Sequence, residues 1–364
     1  MKRIGFLPVL VAFALVAAPA LADGGANHQV KQTPPVKMGT SGGSSLDSSR
    51  SFCCGGTLGS LVLRDGVLSI LSNNHVLARA GSATTGEDDI QPGLIDVGCR
   101  ATTANSNIVG DFAGNFVPLG TANVDVALAT ARSGQVDTSG AIIDVGVPCN
   151  TTQAATIGLA VTKSGRTTGQ TFGSVQSVNT SVSIQYQAGC NSGKKFTETY
   201  TNQVVVSGSG SFSAGGDSGS LIVSNDGTPN PVALLFAGNS TQTIGNPIGA
   251  VVSAFQAGGH TFSFVGTNCG NFAFSSILGG PQISPSEAEV DYTRVVKERH
   301  ESEFFGRPGV IGVGVGADEA DASRGAIVVY FATAAGTHPQ PQGIPAEVDG
   351  VPVRVVPTEP FVAQ

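Results

Sequence analysis

Three short strings hold the residue types that hydrolytic chemistry needs. The most informative is Gly215-Gly216-Asp217-Ser218-Gly219-Ser220. A serine between glycines can stand on a tight turn with its hydroxyl exposed, and the missing Cβ atoms let a substrate approach the backbone. The N–H groups of such a turn can converge on one point and hold a developing oxyanion. Alone, the string also fits a solvated loop in a chain this rich in Gly and Ser. A serine hydroxyl becomes a nucleophile only beside a base. Of the 5 His, His28 lies in a polar leader, His260 in a Gly-rich stretch, His300 on a charged helix and His338 among prolines. His75, in Leu71-Ser72-Asn73-Asn74-His75-Val76-Leu77, directly follows a strand-like run, where the chain can present an imidazole to a cleft. The base in turn needs an orienting carboxylate. Asp125 sits inside the apolar run Asn123-Val124-Asp125-Val126-Ala127-Leu128, where an unpaired buried carboxylate would be costly. Asp96, Asp111 and Asp144 are its rivals.

The elements that must position these groups read as β. Short apolar runs alternate with Gly, Asn, Asp and Ser turns from about Cys53 to Phe255. Candidate strands are Leu58 to Leu63, Val67 to Ser72, Val124 to Thr130, Ser174 to Val178, Val182 to Tyr186, Val204 to Ser207, Ser220 to Val223 and Val232 to Ala237. Arg64-Asp65-Gly66 is a turn signal that makes a hairpin of the first two. Many short, closely spaced strands point to an all-β sandwich or barrel. Ile248, Val251, Val252 and Phe255 have the spacing of one closing helix. Residues 23–50, polar and rich in Gly, Ser, Thr and Pro, read as a flexible leader. Residues 258–283 read as a Gly-rich connector. The composition then shifts to a small α+β unit over 284–364. Ser284 is placed as N-cap, Pro285 at the first helical position and Glu287 at the third. Ala288, Tyr292, Val295 and Val296 form the apolar face of that helix. Val310 to Val315, Ala326 to Ala332 and Val351 to Val356 are its strands. A core this small is marginal alone, so the unit is expected to dock on the β part. Asp318, Glu319 and Asp321 lack the alternating oxygen ligands of a calcium loop and read as a hairpin turn.

Composition bounds the function. The 364 residues carry 19 Lys+Arg against 26 Asp+Glu, a net charge of -7, with no basic run, which argues against nucleic acid as a partner. Residues 1–22 have a secretory signal pattern: Lys2 and Arg3, then an apolar run, then Ala20-Leu21-Ala22. After its removal no stretch is long enough to span a membrane. All 6 Cys lie beyond it, at 53, 54, 99, 149, 190 and 269, with no C-x-x-C pair, so disulfides are favoured over zinc. Adjacent Cys53 and Cys54 are expected to take different partners, one of them Cys99, because a vicinal bridge is strained.

Taken together, the strings around His75, Asp125 and Ser218, in that order and with spacings of 50 and 93 residues, resemble the chymotrypsin-fold (trypsin-like) serine peptidases. Gly56-Thr57-Leu58-Gly59 matches the family's opening strand. Lys163-Ser164-Gly165-Arg166-Thr167-Thr168-Gly169 resembles the start of the second barrel in bacterial lytic-type members. The resemblance covers about residues 51–257. It implies a double β-barrel, mainly β in class, with the α+β unit appended. It further implies Ser218 as nucleophile, His75 as general base and then acid, Asp125 as orienter, and the N–H groups of Gly216 and Ser218 as oxyanion hole. It implies a peptide or protein substrate cleaved through an acyl-enzyme, with no metal or organic cofactor, in a secreted or periplasmic location.

Departures from the family pattern sharpen these expectations. No Ile-Val-Gly-Gly activation sequence stands near the mature start; bacterial members use a basic side chain instead, so the resemblance implies one beside Asp217, the competing reading being solvated loop charges. Lys163 is the first candidate and Arg166 the second. Ser220 stands where the family often has Gly, and Thr162 and Phe172 stand where lytic-type members carry a disulfide. Phe212, six residues before Ser218, takes the place of the acidic residue of trypsin-like pockets. With Ala237 and Gly238 on one wall, the resemblance implies an apolar or small side chain at P1, the residue whose carbonyl is attacked. The competing readings are a catalytically idle barrel used for binding, and a peptidase that processes itself once. Retention of all three residues favours the enzyme.

Overall fold

The computed structural model describes residues 26–270, 283–333 and 343–364. The signal segment 1–22, the connector residues 271–282 and His338 lie outside the described residues. No described helix is long and apolar enough to cross a membrane.

The first sheet has eight strands. They are β1 (Thr40–Ser44), β2 (Gly56–Leu58), β3 (Ser60–Arg64), β4 (Val67–Ser72), β5 (Asp88–Gln91), β6 (Asn107–Phe116), β7 (Ala127–Ala131) and β14 (Phe262–Phe264), in spatial order β14-β3-β4-β7-β6-β5-β1-β2. β2 ends the sheet on one side, yet only Gly59 separates it from β3 near the other, so the sheet must curl into a barrel. Leu61, Val62, Ile70, Leu71, Phe112 and Leu128 are buried in the cluster on its two faces, each such side chain contributing roughly 1.5–3 kcal/mol through burial. The β3–β4 hairpin turns at Asp65 and Gly66, both at positive φ.

Two expectations for the flanks of this barrel are corrected. The segment read as a flexible leader is ordered from residue 26: β1 is buried along its whole length, and Val36, Met38 and His28 are buried with it. Its Gly and Ser content reflects close packing, since a Cβ at Gly42 would lie 2.4 Å from the Leu58 side chain. The start of the connector supplies β14, which pairs with β3.

The second sheet contains a closed barrel. Its strands are β8 (Ala160–Gly165), β9 (Gly169–Gln187), β10 (Lys195–Gly208), β11 (Leu221–Ser224), β12 (Pro231–Gly238) and β13 (Thr243–Pro247). The order β10-β13-β12-β11-β8-β9 closes because β9 also pairs with β10. The two strands expected at 174–178 and 182–186 are one continuous β9. Thr162 and Phe172 face each other across β8 and β9. Helix α1 (Asn74–Leu77) follows β4, and α2 (Ile248–Gln256) packs Ile248, Val251 and Phe255 on the first barrel's core.

The C-terminal unit extends the same sheet. β15 (Val310–Ala317) pairs antiparallel with β9 and β16 (Gly325–Ala332), and β18 (Val351–Thr358) joins β16 in parallel, with β17 (Glu347–Val348) at the edge. Helix α3 (Glu287–Phe305) covers β15 and β16. Its N-cap is Ser286, not Ser284: the Ser286 side chain accepts from the Glu289 N–H. Its buried face is Thr293, Val296, Lys297 and Phe304, rotated from the expected one, leaving Tyr292 and Val295 exposed. The Lys297 ammonium makes this possible by donating to Ser181 on β9 and pairing with Glu301. A last short strand, β19 (Phe361–Ala363), returns to the barrel and pairs with both β12 and β9. The chain is thus mainly β: a double β-barrel of the chymotrypsin type with a small α+β extension.

Candidate active site

His75 projects from α1, one turn past the end of β4. Its Nδ1 lies 2.6 Å from Asp125 Oδ2, and its own N–H donates to Oδ1 at 3.2 Å. Asp125 precedes β7 and is fully buried. Its backbone is fixed from both barrels: Asn73 donates to its carbonyl, and its N–H donates to Asn246 Oδ1 at 2.9 Å. Asn246 in turn donates to Gln203 on β10. Tyr186, at the end of β9, donates its hydroxyl to Asp125 Oδ2 at 2.9 Å and lies 3.0 Å from the Tyr200 hydroxyl. The Asp125 carboxylate therefore has several donors and one imidazole partner.

The same environment sets the imidazole. Burial opposes the charged form of His75, but the Asp125 charge and hydrogen bond, the Gln364 main-chain oxygen and Asp47 outweigh it, and the pKa is raised above 6.5. Asp47 lines the cleft beside His75. Burial pushes its carboxyl up to about 6, against the pull of Arg79 and His75. Burial, then the neighbouring Asp125 charge, holds the Tyr186 phenol well above its ordinary value, so it stays a donor.

Ser218 stands on the turn before β11, where the two barrels touch. A Cβ at Gly59 would lie 1.9 Å from the Gly219 carbonyl, so the backbones meet directly. Thr57 staples the turn: its N–H donates to the Ser218 carbonyl at 2.8 Å and its hydroxyl to the Gly216 carbonyl at 2.9 Å. Ser220 donates to the Asp217 carbonyl at 2.6 Å, which gives the departure from Gly a structural use. Gly216 has φ +98, and a Cβ there would lie 2.6 Å from the Thr167 hydroxyl. Among the described residues, the N–H groups of Gly216 and Ser218 have no protein acceptor, whereas those of Asp217, Gly219 and Ser220 do.

Asp217 is buried beneath the turn. It accepts from the N–H groups of Thr167, Thr168 and Ala214 at 2.8, 3.2 and 2.9 Å and from the Thr168 hydroxyl at 2.7 Å. The Lys163 ammonium is 3.6 Å from it, donates to Gly169 O at 2.8 Å and to the Thr168 hydroxyl, and is equally buried. Burial lowers the Lys163 pKa, with the Asp217 charge opposing. Arg166, the second candidate for that part, instead makes a two-pronged pair with Asp96. The rival carboxylates are all committed elsewhere: Asp96 to Arg166, Asp111 to Arg132 and Asp144 to His28. His260 and His300 pair with Asp65 and Asp349 away from the cleft.

The other expected residues divide. Ala237 and Gly238, at the end of β12, pair with β19 and do not line the cleft. Phe212 is corrected: it packs with Val161, Val175 and Ile222 in the barrel core, its ring 5.8 Å from the Lys163 ammonium. An aromatic face shields that cation from solvent, which a pocket wall could not do. Cys53 bonds to Cys99 as expected, Cys54 to Cys190 and Cys149 to Cys269. Sequence reasoning missed Asp47, Tyr186 and the C-terminal segment. Asp47 lay in a stretch read as flexible, and the alternation of β9 marks Tyr186 only as a barrel residue.

Ser218 and His75 do not hydrogen-bond each other in this structure. The Ser218 hydroxyl donates to the Phe236 carbonyl at 3.1 Å, and His75 Nε2 lies 3.1 Å from the main-chain oxygen of Gln364. A cleft of about 330 Å³ opens beside them, lined by Cys54, Arg79, Cys190, Gly215 and Gln364.

No family model and no curated protein matches the chain. Solved structures do. The chain is similar to a glutamic acid specific serine protease, at 18% identity over 63% of this chain and 100% of that one, with a TM-score of 0.41. It is similar to a Cellulomonas bogoriensis chymotrypsin at 20% identity, over 64% and 99% of the two chains, with a TM-score of 0.39. It is also similar to an alpha-lytic protease homolog, N4, at 19% identity over 60% and 96%, with a TM-score of 0.40. At such identities and scores, function has to be read from the site itself.

Proposed function

We propose that the chain is a serine endopeptidase, exported to an oxidising compartment, that hydrolyses peptide bonds through an acyl-enzyme on Ser218. The single observation that carries this reading is the buried Asp125 carboxylate held 2.6 Å from His75 Nδ1, which leaves the other imidazole nitrogen for the main-chain oxygen of Gln364 at 3.1 Å. The Ser218 oxygen attacks the carbonyl carbon as its proton passes to His75 Nε2. Asp125 stabilises the imidazolium and holds its tautomer. The N–H groups of Gly216 and Ser218 receive the oxyanion, each donor being worth on the order of 10²–10³ in rate. The imidazolium then protonates the leaving amine. A water, deprotonated by the same nitrogen, releases the acid and restores the serine. Lys163 supports the turn through Asp217. The three disulfides and the signal pattern at 1–22 support export to the periplasm or beyond.

The test is labelling with a fluorophosphonate over long incubation at neutral pH. Wild type is expected to take up one equivalent, and Ser218→Ala and His75→Ala none. A folded protein that stays unlabelled both as wild type and after deletion of residues 362–364 overturns the reading in favour of an idle binding barrel.

A further inference from the structure

The segment Phe361–Gln364 runs through the cleft as an added strand. Val362 and Ala363 pair antiparallel with Gly238 and Ala237, while Phe361 and Val362 pair in parallel with Ile184 and Gln185 of β9. The Gln364 N–H donates to the Phe236 carbonyl at 3.2 Å, the same oxygen that accepts the Ser218 hydroxyl. The Gln364 main-chain oxygen meets His75 Nε2 at 3.1 Å. The main chain of residue 364 therefore engages both the base and the carbonyl that holds the Ser218 hydroxyl, and the chain approaches them from the acyl side. The Gln364 side chain lies against Gly238, where a Cβ would fall 2.6 Å from its Nε2. Its Oε1 is buried with no hydrogen-bond partner among the described residues. Phe361 anchors the segment: it is fully buried, its ring 5.8 Å from that of Tyr330.

Strand addition of this kind is a general way to hold a peptide, with main-chain hydrogen bonds giving affinity and alternate side chains giving specificity. Here the strand belongs to the protein itself. It takes up the outward nitrogen of the base, shares the Phe236 carbonyl with the fully buried Ser218 and fills the edge of β12 that a substrate would use. We propose that Phe361–Gln364 is a tethered competitive inhibitor of the active site, and that the place of Gln364 defines a P1 pocket for an uncharged polar side chain of glutamine size. The proposal rests on the peptidase reading above and replaces the expected apolar or small P1 residue. A tethered segment acts at an effective concentration of about mM, so release must precede turnover of dilute substrates.

Two variants test it. Deleting residues 362–364 keeps the Phe361 anchor, and Gln364→Pro removes both the N–H donated to Phe236 and the pocketed side chain. Circular dichroism melts establish that each is folded. The probe is a chromogenic anilide of acetyl-Phe-Val-Ala-Gln, with fluorophosphonate labelling of Ser218 run in parallel. Both variants are expected to hydrolyse the anilide and to label at least tenfold faster than the full chain. Free acetyl-Phe-Val-Ala-Gln should inhibit the deletion variant competitively. Equal rates in all three, with Ser218 labelled in each, overturn the tethered inhibitor and leave the peptidase standing. Preference of the deletion variant for Lys, Glu or Phe at P1 over Gln overturns the pocket assignment. No labelling in any folded form overturns the peptidase and the inhibitor together.

Discussion

Replacing Lys163 with Met tests whether the turn that carries Ser218 depends on a buried ion pair. Both partners are fully buried and 3.6 Å apart. At an effective dielectric of about 20, the attraction at that distance is about 4–5 kcal/mol. Methionine keeps most of the volume, so the loss is mainly electrostatic: Asp217 retains its N–H and hydroxyl donors but faces no counter-charge. Breaking such a pair by removing one partner costs about 3–5 kcal/mol. We expect Lys163→Met to lose that much in urea unfolding, and its Ser218 labelling rate to fall as the turn loosens. The double variant Lys163→Met/Asp217→Asn should recover most of the stability, because no lone charge remains. A single variant that loses less than about 1 kcal/mol, or a double variant no more stable than the single, would refute the reasoning.

Other consequences follow from the same geometry. The His75 imidazole, followed by NMR in the full chain, should titrate above pH 6.5, and Asp125→Asn should lower it, because only the Gln364 oxygen and Asp47 then oppose burial. Since its folded pKa is raised, the stability His75 contributes is fully present below about pH 6.5 and is lost as pH rises through the folded value. Asp89 is buried with both carboxylate oxygens unpartnered, and burial, then Glu87, Asp111 and Asp88, raise its pKa well above 3.8. Its ionisation costs stability as pH rises, so Asp89→Asn should stabilise the fold at pH 8 by about 1–3 kcal/mol and change little at pH 4, read from unfolding midpoints. Gly216→Ala should cut labelling of a tail-deleted protein by on the order of 10²-fold, because the turn cannot keep its φ of +98 with a Cβ 2.6 Å from Thr167. Unchanged labelling would remove Gly216 from the oxyanion hole. Breaking Cys54–Cys190, which spans 136 residues, with paired Ser substitutions should cost about 2–5 kcal/mol in thermal unfolding.

The sequence made the proposed reacting groups legible because each sits in a local string whose composition is unusual for its surroundings. A serine among glycines, a histidine just past a strand and an aspartate inside an apolar run all stand out. Lys163 was suggested not by local composition but by the likeness of residues 163–169 to lytic-type peptidases, and the structure puts its ammonium 3.6 Å from Asp217. What stayed hidden depends on long-range packing. The Gly and Ser of β1 look like a linker and are instead what allows Leu58 to press against the backbone. Tyr186 alternates like any strand residue, and only barrel closure brings its hydroxyl to Asp125. Phe212 was assigned by its distance in sequence from Ser218, but the chain turns it inward onto Lys163. The phase of α3 was misread because Lys297, a charged residue, is on the buried side. Nothing local marks residues 361–364 as a strand for a cleft formed by residues far earlier in the chain, such as Gly238 and Ala237.

The central claim is that Ser218, His75 and Asp125 act as one nucleophilic unit. Its most direct test is to trap the acyl-enzyme. The variant lacking residues 362–364 would be mixed with a thioester of acetyl-Phe-Val-Ala-Gln, quenched in acid within seconds, and weighed intact and after peptide mapping. We expect one acyl group on the peptide containing Ser218, none in Ser218→Ala, and none within that time in His75→Ala. A folded protein that carries no adduct, or carries it equally in His75→Ala, would contradict the account.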